Sequence, residues 1–239
     1  MHRMLLAIGG AVMAVVSLGG CGGAGAKVGD LTGGPTVGAA PPTAMYWPLA
    51  IGNTWRLRVT QYGVAPGWSP MFVGLVPAGL LAAGTQSTHR EIHRITGRVS
   101  VNGQTWFVDK TTVEGTTCRV LLRHGPGGFL VKAPASAPRC YFLKTPLTEG
   151  NAWPARSRHS TFQIAGVDRT VTVPAGTFGD CIAVAETSEE EPGATWTRWY
   201  AGGIGPAKAE VRDGETLVVL WELLAYDLAS AGSGAGPAT

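Results

Sequence analysis

An eight-residue motif that occurs twice, P-L-x-x-G-N-x-W, constrains the architecture of this chain more than any single predicted element does. The motif begins at Pro48 and again at Pro146, and five of its eight positions are identical in the two copies. Each copy is followed by a β-rich region in which apolar and polar residues alternate. A glycine then marks a turn, and the alternation resumes after it. Self-similarity of this kind is typical of repeated structural units. The sequence therefore predicts two similar β halves, residues 46–143 and 144–229.

Several segments, each bounded by turn residues, show an alternation of apolar and polar residues. This pattern predicts successive antiparallel strands in both halves. The chain holds 35 glycines and 16 prolines, which favour turns and short strands over long helices. Residues 217–224 are apolar on both faces and so predict a central strand covered on both sides. The predicted fold class is mainly β: an antiparallel curved sheet, or a partly open barrel or sandwich, with few short helices. The predicted strands are 55–62, 91–101, 105–113, 117–123, 129–132, 160–165, 169–173, 181–187, 195–200, 207–212 and 216–226.

The first 20 residues have the features of a bacterial export signal. Arg3 supplies a positive charge, residues 5–17 are apolar, and Leu18-Gly19-Gly20-Cys21 follows. This last segment resembles the lipobox, in which the cysteine thiol is diacylated and the peptide is cut just before it. The alternatives are an ordinary secretory signal, which needs no cysteine there, and a transmembrane helix, for which about 16 apolar residues are short. The sequence predicts removal of residues 1–20 and lipidation of Cys21.

Residues 21–45 are predicted to form the lipidated cysteine and a flexible tether. Residues 22–45 contain one lysine and one aspartate among glycine, alanine, threonine and proline, a composition that cannot form a core. A flexible chain of this length reaches roughly 25–30 Å. Acyl chains such as palmitate would anchor a single β domain, residues 46–229, to the cell membrane or outer membrane, facing the periplasm or the exterior. Residues 230–239 are predicted to be a disordered tail.

Three groups of residues carry a resemblance to a broad group of uncharacterised bacterial lipoproteins. They are Tyr46-Trp47-Pro48-Leu49 with Gly52-Asn53-Thr54-Trp55, Val173-Pro174-Ala175-Gly176-Thr177-Phe178 with Asp180-Cys181, and Trp199-Tyr200-Ala201 with Gly203-Ile204-Gly205 and Lys208. The resemblance covers most of residues 46–226 and implies an exported β domain, without catalytic residues to carry over. The chain departs from the pattern at Gly202 and Pro206 and in a long insert after the first strand.

The same motif residues also have a purely structural interpretation. Pro174 and Gly176 suit a tight turn between two strands. Trp55, Trp153 and Trp199 are large apolar anchors for a sheet face, and each indole N–H needs a partner when buried. The alternative is a platform of tryptophans for sugar rings.

The insert at 63–88 has the most unusual composition in the domain. No charged residue occurs between Val59 and His89, and residues 71–83 form an apolar run that is interrupted by Pro77 and two glycines. The run is too short to span a bilayer. It is predicted either to be a flap tucked over the core or to be a hydrophobic lip that covers a ligand cavity or contacts lipid or a partner protein. The candidate apolar contacts are Phe72, Leu75, Val76, Leu80 and Leu81.

Three cysteines remain once Cys21 is acylated. Cys118 and Cys140 flank a predicted hairpin, and a disulfide between them is plausible in an oxidising compartment. Cys181 lies in an alternating strand and is interpreted as a buried thiol.

Motifs for catalysis or metal binding are weak. The segment His89-Arg90-Glu91-Ile92-His93 places two histidines on one face, but its glutamate is misplaced for a zinc protease. An exposed basic strand edge is the preferred interpretation there. Gly202-Gly203-Ile204-Gly205 is a turn without the lysine of a phosphate-binding loop. We predict no catalytic residues, no metal and no cofactor.

Charge and composition leave a short list of functions. Without Arg3, 18 basic and 16 acidic side chains remain, a formal charge of +2 that is too small and scattered to indicate nucleic acid. The first hypothesis is a non-catalytic envelope lipoprotein that binds a partner protein or serves structurally. The second is a carrier of a lipid or other apolar ligand under the 71–83 flap, and the third is a hydrolytic enzyme. A solid core would favour the first, and an apolar cavity the second.

Overall fold

The structure, a computed structural model, describes residues 42–63, 86–132, 139–155 and 159–229. These residues form one antiparallel sheet of 12 strands, preceded by a 3-10 turn at Pro42–Ala44. The mainly β fold class predicted from the alternation is therefore confirmed. No helix among the described residues is long and apolar enough to cross a membrane.

The strands follow the chain with short turns between most of them. They are β1 (Thr54–Gln61), β2 (Ser87–Val101), β3 (Gln104–Val113), β4 (Thr116–Gly125), β5 (Gly128–Lys132), β6 (Cys140–Lys144), β7 (Ala152–Pro154), β8 (Ser160–Val173), β9 (Gly176–Ser188), β10 (Ala194–Ala201), β11 (Gly205–Asp213) and β12 (Thr216–Asp227).

The sheet consists of two six-stranded meanders joined by their first and last strands. The order is β6-β5-β4-β3-β2-β1-β12-β11-β10-β9-β8-β7, so β12 lies centrally, as predicted. The predicted cover on both sides is wrong, because Trp221 and Leu223 are buried whereas Leu220 and Leu224 are only partly buried. The two outer strands, β6 and β7, are linked by side chains in place of a backbone ladder. The Trp153 indole donates to the Tyr141 carbonyl at 2.9 Å, and Asn151 Nδ2 donates to the Lys144 carbonyl at 3.1 Å. The sheet thus curves into a nearly closed barrel.

The repeated motif builds the same turn in both halves. Asn53 Nδ2 donates to the Pro48 carbonyl at 2.9 Å, and Asn151 Nδ2 donates to the Pro146 carbonyl at 2.8 Å. The motif glycines have positive φ angles of 102° and 85°, and each donates its N–H to an isoleucine carbonyl on the following long strand. Glycine tolerates this backbone region without steric cost. The similarity of the two halves therefore extends to individual hydrogen bonds.

The barrel interior is packed around one continuous apolar cluster to which nearly every strand contributes. At the end formed by the turns 48–53, 145–151 and 202–204, here called the motif end, the packing is aromatic. Trp47 stacks on Phe129 with ring centroids 4.8 Å apart and lies 5.7 Å from Tyr200. It also meets Trp55 edge-on at 6.1 Å. These rings fill the motif end of the barrel.

Candidate functional site

The long strand β2 turns an unusual set of side chains into the barrel. His89, Glu91 and His93 are buried and alternate with the exposed Arg90 and Ile92. The period of two in a strand places alternate residues on one face. The preferred interpretation of this segment, an exposed basic edge, is therefore wrong for both histidines, because they face inward and β2 lies between β1 and β3 in the sheet.

His93 is held between two carboxylates in the interior. Its Nδ1 lies 2.7 Å from Asp109 Oδ2 and its Nε2 lies 2.8 Å from Glu91 Oε1. The side chains of His93 and Asp109 are 0% exposed and that of Glu91 is 1% exposed. Trp221 Nε1 donates to the second oxygen of Glu91 at 3.1 Å, and the Arg94 backbone N–H donates to the second oxygen of Asp109 at 3.1 Å. With Thr111, these residues form what we call the His93 cluster.

The electrostatics of the cluster favour an imidazolium at position 93. Burial lowers the pKa of His93, but the charges and hydrogen bonds of Asp109 and Glu91 outweigh it and raise the pKa to about 10. A protonated imidazole donates from both ring nitrogens, which suits two acceptors. The cluster is therefore a buried ion triad whose charged centre is the histidine.

His89 on β2 and Gln61 on β1 are less completely hydrogen-bonded than the His93 cluster. His89 Nε2 and Gln61 Oε1 are buried without a hydrogen-bond partner in the part of the chain that the structure describes. Burial lowers the pKa of His89, partly offset by Glu91 and Glu114. These two side chains are on neighbouring strands, since Val59, two residues before Gln61, pairs with His89.

The second half carries a buried ion pair of its own. Arg198 Nη2 on β10 donates to Glu186 Oε2 on β9 at 2.6 Å, and both side chains are almost inaccessible to solvent. The guanidinium lies over the rings of Phe142 and Phe162, at 5.3 and 5.1 Å from their centroids. Arginine stacked on aromatic faces keeps its charge at low solvation cost. Each half of the barrel thus has one internal ionic group.

We interpret the buried charges of the His93 cluster as structural. Both ring nitrogens of His93 are engaged, and the groups that could transfer protons have almost no solvent-accessible surface. General acid–base catalysis requires the catalytic atom to come within hydrogen-bond reach of a substrate. Among the described residues, no group of three or more His, Cys, Asp or Glu side chains is arranged to hold a metal ion. The polar atoms of the His93 cluster are thus engaged within the protein.

The His93 cluster makes the free energy of unfolding decrease as pH rises into the alkaline range. Histidine has a pKa near 6.5 in an unfolded chain, so the raised value means that the folded state retains a proton that the unfolded state has lost. We expect the resulting stabilisation to be complete below about pH 6.5 and to disappear as pH rises through about 10.

Urea unfolding at several pH values across this window would measure the effect, with His93→Ala as the comparison. The wild-type free energy of unfolding should fall by a few kcal/mol more than that of the variant. Cysteine and tyrosine titrations affect both proteins and cancel in the comparison. Parallel profiles for the two proteins would contradict the assignment of an imidazolium.

The three motifs that carry the lipoprotein resemblance meet at the motif end. The Trp55 indole donates to the Ile204 carbonyl at 2.7 Å, and the Gly203 N–H donates to the Met45 carbonyl at 2.8 Å. The Tyr46 hydroxyl donates to Asp180 Oδ1 at 2.9 Å. These contacts explain why tryptophan, glycine and aspartate occur in the motifs, whereas the family resemblance itself stays a prediction.

Gly205 shows how tightly the motifs fit together. Its φ is 113°, and a Cβ at this position would lie 2.9 Å from Trp55 Nε1. A side chain would therefore be strained by the backbone and would displace the indole. Trp55 and Trp153 are both buried anchors with a satisfied N–H, as predicted, while Trp199 is half-buried.

The structure places the remaining cysteines apart. Cys118 and Cys140 lie on β4 and β6, and β5 lies between those strands. Cys140 pairs with Val131, which pairs with Leu122, four positions along β4 from Cys118. Two strand spacings alone amount to about 9.5 Å, beyond the ~7 Å between Cα atoms that a disulfide spans. The suggested Cys118–Cys140 bridge is thus incompatible with this sheet.

Cys181 is a buried thiol, as predicted. Its Sγ lies 3.4 Å from the Phe178 carbonyl. Burial and the charge of Asp180 raise the pKa of the thiol to about 11. A protonated, buried thiol is a poor nucleophile.

Two groups of predicted site residues lie outside the described residues. They are Cys21 with its leader and residues 22–41 of the predicted tether, and the apolar contacts Phe72, Leu75, Val76, Leu80 and Leu81. The interpretations of these residues stay predictions. The end of the predicted tether is wrong, because Pro42–Ala44 form a 3-10 turn in which Thr43 is buried and lies within hydrogen-bond distance of His124. The insert leaves the sheet after β1 and re-enters it at β2, at the opposite end of these strands from the motif turns.

Comparison with known proteins finds distant structural likenesses. No family model matches the chain, and no curated protein matches it. A "putative exported protein with YmcC-like fold" from Bacteroides fragilis is 14% identical, with a TM-score of 0.48, covering 77% of this chain and 99% of that one. A "putative lipoprotein" from Parabacteroides distasonis is 14% identical, with a TM-score of 0.44, covering 77% of this chain and 98% of that one. Likenesses at this level carry no inference about function.

Proposed function

We propose that this chain is a lipoprotein of the bacterial cell envelope, anchored through acyl chains on Cys21, whose β domain is non-catalytic and binds a partner protein or serves structurally. The observation that carries the proposal is the segment Leu18-Gly19-Gly20-Cys21 directly after an apolar stretch with a positive start. A cysteine at that position has a chemical purpose in a lipoprotein signal and none in an ordinary one.

The interior of the barrel supports a non-catalytic domain. Its apolar side chains form one continuous cluster, and its ionic groups are paired with one another. The residues of the sequence motifs are used in turns and packing at the motif end. A continuous apolar cluster of this kind supports a scaffold or partner-binding domain.

Metabolic labelling with an alkyne analogue of palmitate tests the anchor in a bacterial host. Wild-type protein should incorporate the label, and Cys21→Ala should lose it completely, because the acceptor thiol is gone. Cys118→Ala is the matched control, since it removes a half-exposed cysteine and should label like the wild type. Label that persists in Cys21→Ala, or is absent from the wild type, would contradict lipidation at this site.

The same preparation separates the two binding hypotheses. The covalent acyl chains should be the only lipid present in stoichiometric amount in the detergent-purified protein, and extraction should release no other lipid in that amount. A stoichiometric, non-covalently bound lipid would assign the domain to the carrier class instead.

A further inference from the structure

The outward-facing residues of the first half of the barrel are strongly basic. Five exposed cations are distributed over β1, β2, β3 and β4, and we call this surface the basic face; its residues are Arg56, Arg90, Arg94, Lys110 and Arg119. Their inward neighbours are the core and the His93 cluster, so the rigid sheet fixes where the charges lie.

The register places like charges directly opposite each other on this face. Arg94 pairs with Lys110 across β2 and β3, and Lys110 pairs with Arg119 across β3 and β4. Like charges at opposed positions of a sheet are destabilising. The three cations in this row therefore destabilise the folded state. An anion bound beside them would offset their repulsion.

No anion of the described part of the chain fills this role. None of the five cations of the basic face has an acidic partner among the described residues, whereas Arg58, in the same sheet, pairs with Glu222 at 2.7 Å. The exposed acidic residues lie mainly in the second half, at Glu149, Asp168, Asp180, Glu189, Glu190, Asp213, Glu215 and Asp227. The small net charge of the chain thus conceals a basic first half and an acidic second half.

We propose that the basic face docks on the anionic phospholipid headgroups of the membrane that carries the anchor. The proposal rests on the proposed lipid anchor at Cys21. The described chain starts at Pro42 and runs into β1, which is itself part of the basic face. Residues 22–41 separate Cys21 from Pro42, and a flexible chain of that length reaches roughly 25 Å, enough to bring the basic face against the headgroups. Ile92, 36% exposed between the arginines, adds an apolar contact.

The expected strength follows from the charge of the face. Each lysine or arginine close to an anionic leaflet favours the bound state by about fivefold, so three of them shift the docked-to-undocked ratio by roughly 100-fold at low salt. The attraction is screened over about 10 Å at 0.1 M ionic strength. Docking should therefore require anionic lipid and be reversed by salt.

Energy transfer in proteoliposomes tests the docking with the whole lipidated protein. Its tryptophans serve as donors, and a dansyl-labelled phosphatidylethanolamine in the vesicle serves as acceptor. We expect stronger transfer in vesicles containing phosphatidylglycerol than in vesicles of phosphatidylcholine alone, and we expect 0.5 M NaCl to abolish the difference.

Two variants with the same change in net charge locate the effect. Arg94→Gln/Lys110→Gln/Arg119→Gln should lower transfer to the phosphatidylcholine level without loss of stability, because it removes the repulsion in the row. Thr161→Glu/Gln163→Glu/Thr172→Glu places the same charge change on exposed positions of β8 and should behave like the wild type.

Three outcomes would overturn the docking proposal. The first is equal transfer in both kinds of vesicle, the second is equal transfer for the two variants, and the third is tighter binding of a soluble DNA duplex than of phosphatidylglycerol vesicles. Failure of the anchor looks different, because the protein would then not float with the vesicles at all.

Discussion

His93→Ala is expected to destabilise the folded domain by about 3–5 kcal/mol, because it leaves two buried carboxylates without their counterion. Glu91 and Asp109 are 1% and 0% exposed, so water cannot replace the lost imidazolium without opening the sheet. Urea unfolding monitored by tryptophan fluorescence measures the loss. The loss is a large fraction of the roughly 5–15 kcal/mol by which a typical domain is stable.

Two further variants show that charge, and not the missing ring, causes this loss. Adding Glu91→Gln and Asp109→Asn to His93→Ala removes the uncompensated charges and should restore part of the stability. His159→Ala is the matched control, because that histidine is 53% exposed and its contacts to Glu189 and Glu190 are long. A loss under 1 kcal/mol for His93→Ala would mean that the triad is not ionised as described.

Trp55→Ala is expected to cost about 3–5 kcal/mol through loss of packing in the core. The Trp55 ring is fully buried, touches Trp47 and is bonded to the Ile204 carbonyl. Trp55→Phe keeps most of the volume and should cost about 1–3 kcal/mol for the unsatisfied carbonyl. The measurement is again the free energy of unfolding in urea.

Trp199→Ala is the comparison for Trp55→Ala. Trp199 is half-buried, and Lys208 Nζ lies 5.1 Å from its ring, so its truncation should cost less than half as much. Equal losses for the two tryptophans would contradict the assignment of Trp55 as the anchor that joins the motifs at the motif end.

The strand pattern could be predicted from the sequence because it depends on local alternation and turn residues. The predicted segment 105–113 corresponds to β3, and 216–226 corresponds to β12, each within one residue at either end. Residues 160–165 and 169–173 were predicted as two strands but form the single strand β8, whose register shifts around Gly166 and Arg169 conceal its continuity. The short outer strands β6 and β7 carry too few residues to show a period.

The ionic interior could not be predicted, because its partners are distant in sequence. Glu91 is hydrogen-bonded to Trp221, which is 130 positions away, and His93 to Asp109 on the next strand. The available signal was the alternation itself, which places Glu91 and His93 on the same face as Ile95. Charged residues are rarely buried unless paired, so the apolar Ile92 was the more natural inward candidate.

The basic face was hidden for a related reason. Arg94, Lys110 and Arg119 are spread over 26 residues of sequence, and only the pairing of β2, β3 and β4 brings them into one row. In the net charge of the whole chain, the positive charge of this row is cancelled by the acidic second half. The register of β2, β3 and β4 depends on the turns at 102–103 and 114–115, and this register determines that the three cations lie in one row.

Intact-mass spectrometry of the protein extracted from membranes tests the lipidation of Cys21. We expect a mature chain that begins at Cys21, with the mass of residues 21–239 plus a diacylglyceryl group, with or without a further amide-linked acyl chain. Fragmentation should place the added mass on the first residue. A chain that retains residues 1–20, or that begins near Cys21 without added lipid, would contradict it.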